Sequence, residues 1–108
     1  MTNPLPPPAP GTDVWPDHDT FGLYDSTPPE AVALFGRAIR VTALGYRLHP
    51  VVRDSHGVLD DVIATAKTLA EADGRPDLIR ALFYGGWTDT EVREVVSERI
   101  DDILKEGP

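Results

Sequence analysis

Residues 82–92 read LFYGGWTDTEV. An apolar run stops at two adjacent glycines, Gly85 and Gly86, and Trp87, Thr88, Glu91 and Val92 open another. Glycine adopts the left-handed backbone in which many helices end, so the pair predicts the close of a helix. Thr88 and Glu91 have the spacing of a capping box, Thr88 as N-cap and Glu91 as the third helical residue. In that register Trp87 and Val92 hold the two positions of a hydrophobic staple. Asp89 and Glu91 then lie where the helix dipole favours negative charge. The stretch predicts a corner between two helices and makes the C-terminal half of the chain helical.

Working outward, Val92, Val95, Val96, Ile100, Ile103 and Leu104 recur at helical spacing and predict a helix over 89–106. Upstream, Pro76 suits the first position of a short helix over 76–85, with Leu78, Ile79, Leu82 and Phe83 facing inward. Leu59, Val62, Ile63, Ala66, Leu69 and Ala70 predict a helix over 56–73, closed by Gly74. Thr27, Pro28 and Glu30 look like a further capping box, opening a helix over 28–48 that Pro50 ends. On that helix Val32, Phe35, Ile39, Thr42 and Tyr46 form one face, and Leu34, Ala38, Val41, Gly45 and Leu48 form its neighbour. So broad an apolar surface suits a helix central to a bundle. No strand and no internal repeat is evident. The expected fold is all-α, a small bundle of about four helices in a domain over 27–108, preceded by an extended Pro-rich arm over 1–26.

The arm begins NPLPPPAPGT (3–12), where proline removes donors and fixes φ, so it should be polyproline-like. It continues DVWPDHDTFGLYD (13–25), acidic and aromatic without a period. Trp15, Phe21, Leu23 and Tyr24 supply apolar area to anchor a partner, with acids steering toward a basic surface. Docking of the same residues on the chain's own core is an equal alternative. The Pro-x-x-Pro spacings lack the nearby Arg or Lys that proline-reading grooves generally want, which favours a spacer.

The chain has 108 residues, no cysteine and a formal net charge of −8. One soluble domain follows, without disulfides or thiolate sites. No apolar run is long enough to span a bilayer and no secretion signal is evident, so the expected place is the cytoplasm. Charge is segregated: residues 1–30 carry five acids and no base, 31–53 carry four arginines and no acid, and 54–108 carry thirteen acids and six bases. Arg37, Arg40 and Arg47 form a basic stripe on the first helix, which the acidic arm or a partner's acidic surface would cover. Usage rich in Arg, Ala, Val and Asp suggests a GC-rich coding genome, such as an actinobacterium or one of its phages, with a virion as the phage alternative for location.

Catalysis and metal binding find little support. No Gly-x-Ser-x-Gly, P-loop or Gly-x-Gly-x-x-Gly occurs. The three histidines, His18, His49 and His56, make no His-x-x-x-His or Glu-x-x-His pair. The expectation is no enzyme, no cofactor and no metal. GGWTDTEVREVV (85–96) resembles the opening of many response-regulator helix-turn-helix domains, over about twelve residues. That resemblance implies a DNA-reading second helix. However, no glycine breaks the helix after Val96, and residues 88–108 carry seven acids against three bases, which DNA phosphates repel. The expected role is therefore binding a protein partner, or copies of itself, in assembly or regulation. A helix-turn-helix transcriptional regulator is the alternative.

Overall fold

The computed structural model describes residues 21–50 and 52–106. Its described residues form four principal helices and no strand: α1 Pro29–Leu48, α2 Ser55–Ala72, α3 Asp77–Tyr84 and α4 Thr90–Glu106. The chain is thus a small all-α bundle, as its periodicity predicts. The central helix is α1, which packs against the other three, while α2 packs against α3 and α4 as well.

Each boundary has a local cause. Pro28 is the N-cap of α1, extended at φ −60 and ψ 145, and Pro29 is the first helical residue. A residue before proline is disfavoured in the helical region, so Pro28 cannot begin the helix. The expected Thr27–Glu30 box is displaced by one residue, and no side chain caps α1. Thr27 is instead buried, at 3% exposure. Glu30 reaches across to Arg75, 3.0 Å away, just before α3. At the start of α2, the Asp54 carboxylate accepts from the Gly57 N–H at 2.9 Å, a side-chain cap of the usual kind.

Two consecutive helices end alike. Gly74 has φ +70 and Gly86 φ +85, the left-handed region that glycine enters without a Cβ penalty. After α2, Arg75 N–H donates to the Ala70 carbonyl (2.8 Å) and Gly74 N–H to that of Glu71 (3.1 Å). After α3, Trp87 N–H donates to Leu82 (3.2 Å) and Gly86 N–H to Phe83 (3.3 Å). Both are Schellman motifs, which satisfy the last carbonyls of a helix.

The start of α4 corrects the expected capping box. Asp89 N–H closes a turn onto the Gly86 carbonyl at 3.0 Å, and the Asp89 carbonyl accepts from Arg93 N–H at 3.0 Å. Asp89 is therefore the N-cap, one residue later than Thr88, because leaving the Schellman motif takes a further turn. Thr88 and Glu91 are both exposed, and the box and staple are out of register. Trp87 and Val92 are nonetheless both completely buried.

The core centres on three rings. Phe35 of α1 lies 5.5 Å from Phe21, edge to face, and 5.7 Å from Trp87. Full burial of such a side chain is worth roughly 1.5–3 kcal/mol, so these rings anchor the junction of α1 with the α3–α4 corner. Phe21 and Leu23 are buried in the chain's own core, so the packed domain takes in residues before the expected boundary at 27. Tyr24 N–H donates to the Gly85 carbonyl (2.9 Å) and Tyr24 hydroxyl to Asp89 Oδ2 (2.7 Å). Phe83, expected to face inward, is half exposed. It stacks edge-on against Trp87 at 5.0 Å, with Lys67 Nζ 5.9 Å from its ring.

Candidate functional site

The second apolar face of α1 is covered only over its first half. Leu34 and Ala38 are buried, but Val41 is 46%, Leu44 45% and Leu48 76% exposed. With Gly45 they stand at positions i, i+3, i+4 and i+7, and so share one side of the helix. No atom lies within 4 Å of where a Cβ on Gly45 would be. Among the described residues nothing covers this stripe.

Along one edge of the stripe, α1 and α2 enclose an open groove of about 380 Å³. Its apolar lining comes from Val41, Gly45 and Ala64, and its polar lining includes Tyr46, His49, Arg53 and Asp61. The polar groups are tied together. Tyr46 hydroxyl donates to Asp61 Oδ2 at 2.5 Å, and Arg53 Nε lies 2.9 Å from the same carboxylate oxygen. Thr42 and Thr65 hydroxyls meet at 3.1 Å, and Thr65 donates to the Asp61 carbonyl at 2.9 Å. Burial, and next the bond to the Asp61 carboxylate, hold the Tyr46 phenol well above its ordinary pKa of 10.0. Such a phenol stays protonated and donates to the Asp61 carboxylate.

The expected basic stripe is distributed over two neighbours. Arg37 Nη1 binds Asp73 Oδ2 at 2.9 Å, at the end of α2. Arg47 Nη2 donates to the Ile103 carbonyl at 2.8 Å, placing a cation at the C-terminal end of α4 where the helix dipole favours it. Arg40 also makes an interaction within the chain. Of the expected anchor residues, Phe21 and Leu23 are core and Tyr24 is half exposed; Trp15 lies outside the described residues. Gly85, Gly86, Trp87 and Val92 meet at the corner as structural elements. A Cβ on Gly85 would collide with Thr27 Oγ1 and come within 3.1 Å of the Ala81 carbonyl.

Among the described residues no three His, Cys, Asp or Glu side chains cluster as metal ligands, and no helix is long and apolar enough to cross a membrane. His56 lies beside Arg93, its Nδ1 3.4 Å from Nη1, away from His49 in the groove. At the corner that resembles a DNA-reading motif, α3 and α4 pack chiefly against α1 and α2 rather than on each other. The exposed residues of α4 include Glu91, Glu94, Glu98, Asp101 and Asp102.

Sequence reasoning found the breadth of the apolar surface on α1 but not which part stays open. The available signal was Leu44, an apolar residue lying among the stripe arginines, where a buried helix face would not place it. Compared with known protein families, curated proteins and solved structures, the chain matches none.

Proposed function

We propose that this chain is a non-enzymatic interaction protein that binds a protein partner, or copies of itself, through the open face of α1. The observation that carries this reading is the contiguous exposure of Val41, Leu44 and Leu48 beside the groove at Gly45. Contiguous exposed apolar side chains rimmed by polar groups are characteristic of interaction sites. The hydroxyl and carboxylate groups of the groove are engaged with one another and with Arg53, which favours binding over chemistry. The composition suits an assembly or regulatory protein of an actinobacterium or its phage, working in the cytoplasm or the virion according to its partner.

The test is association in solution. Leu44→Asp with Leu48→Asp changes two exposed side chains and leaves the core untouched. We expect this pair to abolish self-association measured by mass, or binding to a captured partner, while helicity is kept. Retention of every association of the parent chain would exclude this face.

A second reading, a helix-turn-helix regulator, is favoured by the outline of α3, the Gly85–Gly86 turn and α4. The acidic outer face of α4 opposes it, because the phosphates on both sides of a groove repel such a helix. A gel shift on duplex DNA across a salt series separates the two readings: absence of any complex at low salt eliminates the regulator.

A further inference from the structure

We infer that the open face of α1 is the seat of a second copy of this chain, paired antiparallel to the first, with Leu44 of each copy set over Gly45 of the other. The inference rests on the reading of that face as an interaction site and names its occupant.

Gly45 is the observation that carries it. After proline, glycine is the poorest helix former, and nothing inside the chain accounts for one here. Its φ is not positive. It is not a cap, since His49 holds the C-cap of α1 and donates its N–H to the Gly45 carbonyl at 2.8 Å. Nor does packing require it, because no atom lies within 4 Å of where its Cβ would be. What glycine provides is a low point in an apolar surface. Val41, Leu44, Gly45 and Leu48 stand at i, i+3, i+4 and i+7, the outline of one hole in knobs-into-holes packing. All four are exposed. The hole fits the chain's own stripe. A two-fold axis passing between residues 44 and 45 sets Leu44 against the other copy's Gly45, large on small, and Val41 against its Leu48. Each contact then occurs twice, as in any isologous interface. Parallel pairing in register would bring Leu44 to Leu44 and Gly45 to Gly45, large on large and gap on gap. Alternation of large and small across facing positions is what fills such a seam.

Charge selects the same pairing. The chain carries −8, so two copies repel, and they repel least where they meet through 31–53, the segment without an acid. The arginines bordering the stripe are engaged within the chain: Arg37 with Asp73, Arg47 with the Ile103 carbonyl, and Arg40 as well. In the antiparallel arrangement the two Arg37 residues stand about 15 helical positions apart, or ~22 Å, well beyond the ~8 Å screening length of physiological salt. In a parallel one they would be side by side. A face so balanced offers little to an acidic or basic partner and much to its own image. The seam is short, so it falls at the low end of interface size and the dimer is weak and reversible.

Sedimentation equilibrium of the full chain over roughly 10 μM to 1 mM tests the inference. We expect a monomer–dimer equilibrium that strengthens as salt is raised, because screening removes the repulsion between two acidic chains. Gly45→Gln fills the hole with a good helix former where the single chain has room for it. It should raise the thermal midpoint of the dilute chain and yet weaken dimerisation by about tenfold or more. Leu44→Ala, which removes the knob at an exposed position, gives the same dimer readout should the first variant lose helicity. The chain has no cysteine, so Val41→Cys and Leu48→Cys chains mixed in a glutathione buffer report orientation. The antiparallel pairing predicts the mixed disulfide, which has its own mass, in excess of either homolinked product.

Three results overturn the inference: a monomeric mass throughout the concentration range, a dimer that Gly45→Gln and Leu44→Ala leave as tight as the parent's, or homolinked products that equal or exceed the mixed one. Failure of the underlying reading looks different. A monomeric parent whose binding of another protein is lost in Leu44→Asp with Leu48→Asp sinks the second copy and keeps the interaction face. A dimer that survives that pair as well as Gly45→Gln sinks both.

Discussion

Gly85 and Gly86 sit side by side, yet different forces require them. Gly86 has φ +85, so any L side chain there is strained, and a Cβ would also meet the Tyr24 ring at 2.8 Å. Gly85 has an ordinary φ of −83; it must be small because Thr27 and the Ala81 carbonyl press on it. Both Gly85→Ala and Gly86→Ala should therefore lower stability by roughly 1–3 kcal/mol, through overpacking at the first and mainly through backbone strain at the second, as denaturant midpoints can measure. The neighbouring Trp87 closes the core from the same corner, and among the described residues its buried Nε1 meets no acceptor. Trp87→Ala should cost about 3–5 kcal/mol. Trp87→Phe should cost clearly less, since it keeps an aromatic ring and removes the unsatisfied donor. Equal losses in the two variants would show that ring volume is not what the corner needs.

At the level of whole elements, the helix starts separate two registers that the chain could have used. If Asp89 is the N-cap of α4, Asp89→Ala should destabilise by about 1 kcal/mol and Thr88→Ala by much less. The reverse order would restore the capping box at Thr88 and Glu91. Asp54→Ala should likewise cost about 1 kcal/mol at the start of α2. The contact between α1 and α2 adds a pH dependence. The Tyr46 phenol is raised above its ordinary value by burial and by the bond to Asp61. Its contribution to stability is complete below the unfolded phenol pKa, about 10. It declines as pH rises beyond that toward the folded value, because the unfolded chain then releases a proton that the folded one keeps. Stability followed from pH 9 to pH 12 should fall more steeply in the parent than in Tyr46→Phe. Parallel curves would mean that the phenol titrates alike in both states.

For the molecule as a whole, the all-α bundle was legible in the sequence because its signals are local. Pro76, Gly74 and the Gly85–Gly86 pair punctuate the chain through backbone sterics, and the apolar spacing from Val92 to Leu104 is a helical period wherever it occurs. These effects act within a turn or two and need no partner from elsewhere. What depended on distant residues was not legible. Phe21 and Leu23 looked like an arm that could dock in cis or in trans, and the packing of Phe21 on Phe35 draws them into the core. Arg37 and Arg47 looked like one basic stripe, and the ends of α2 and α4 divide them between Asp73 and the Ile103 carbonyl. Periodicity on α1 marked a broad apolar surface, but whether a given side chain is covered depends on how α2, α3 and α4 cross it. Local sterics therefore settled that four helices form and roughly where they stop; the long-range burial that no short window of sequence contains settled that Val41, Leu44 and Leu48 face outward.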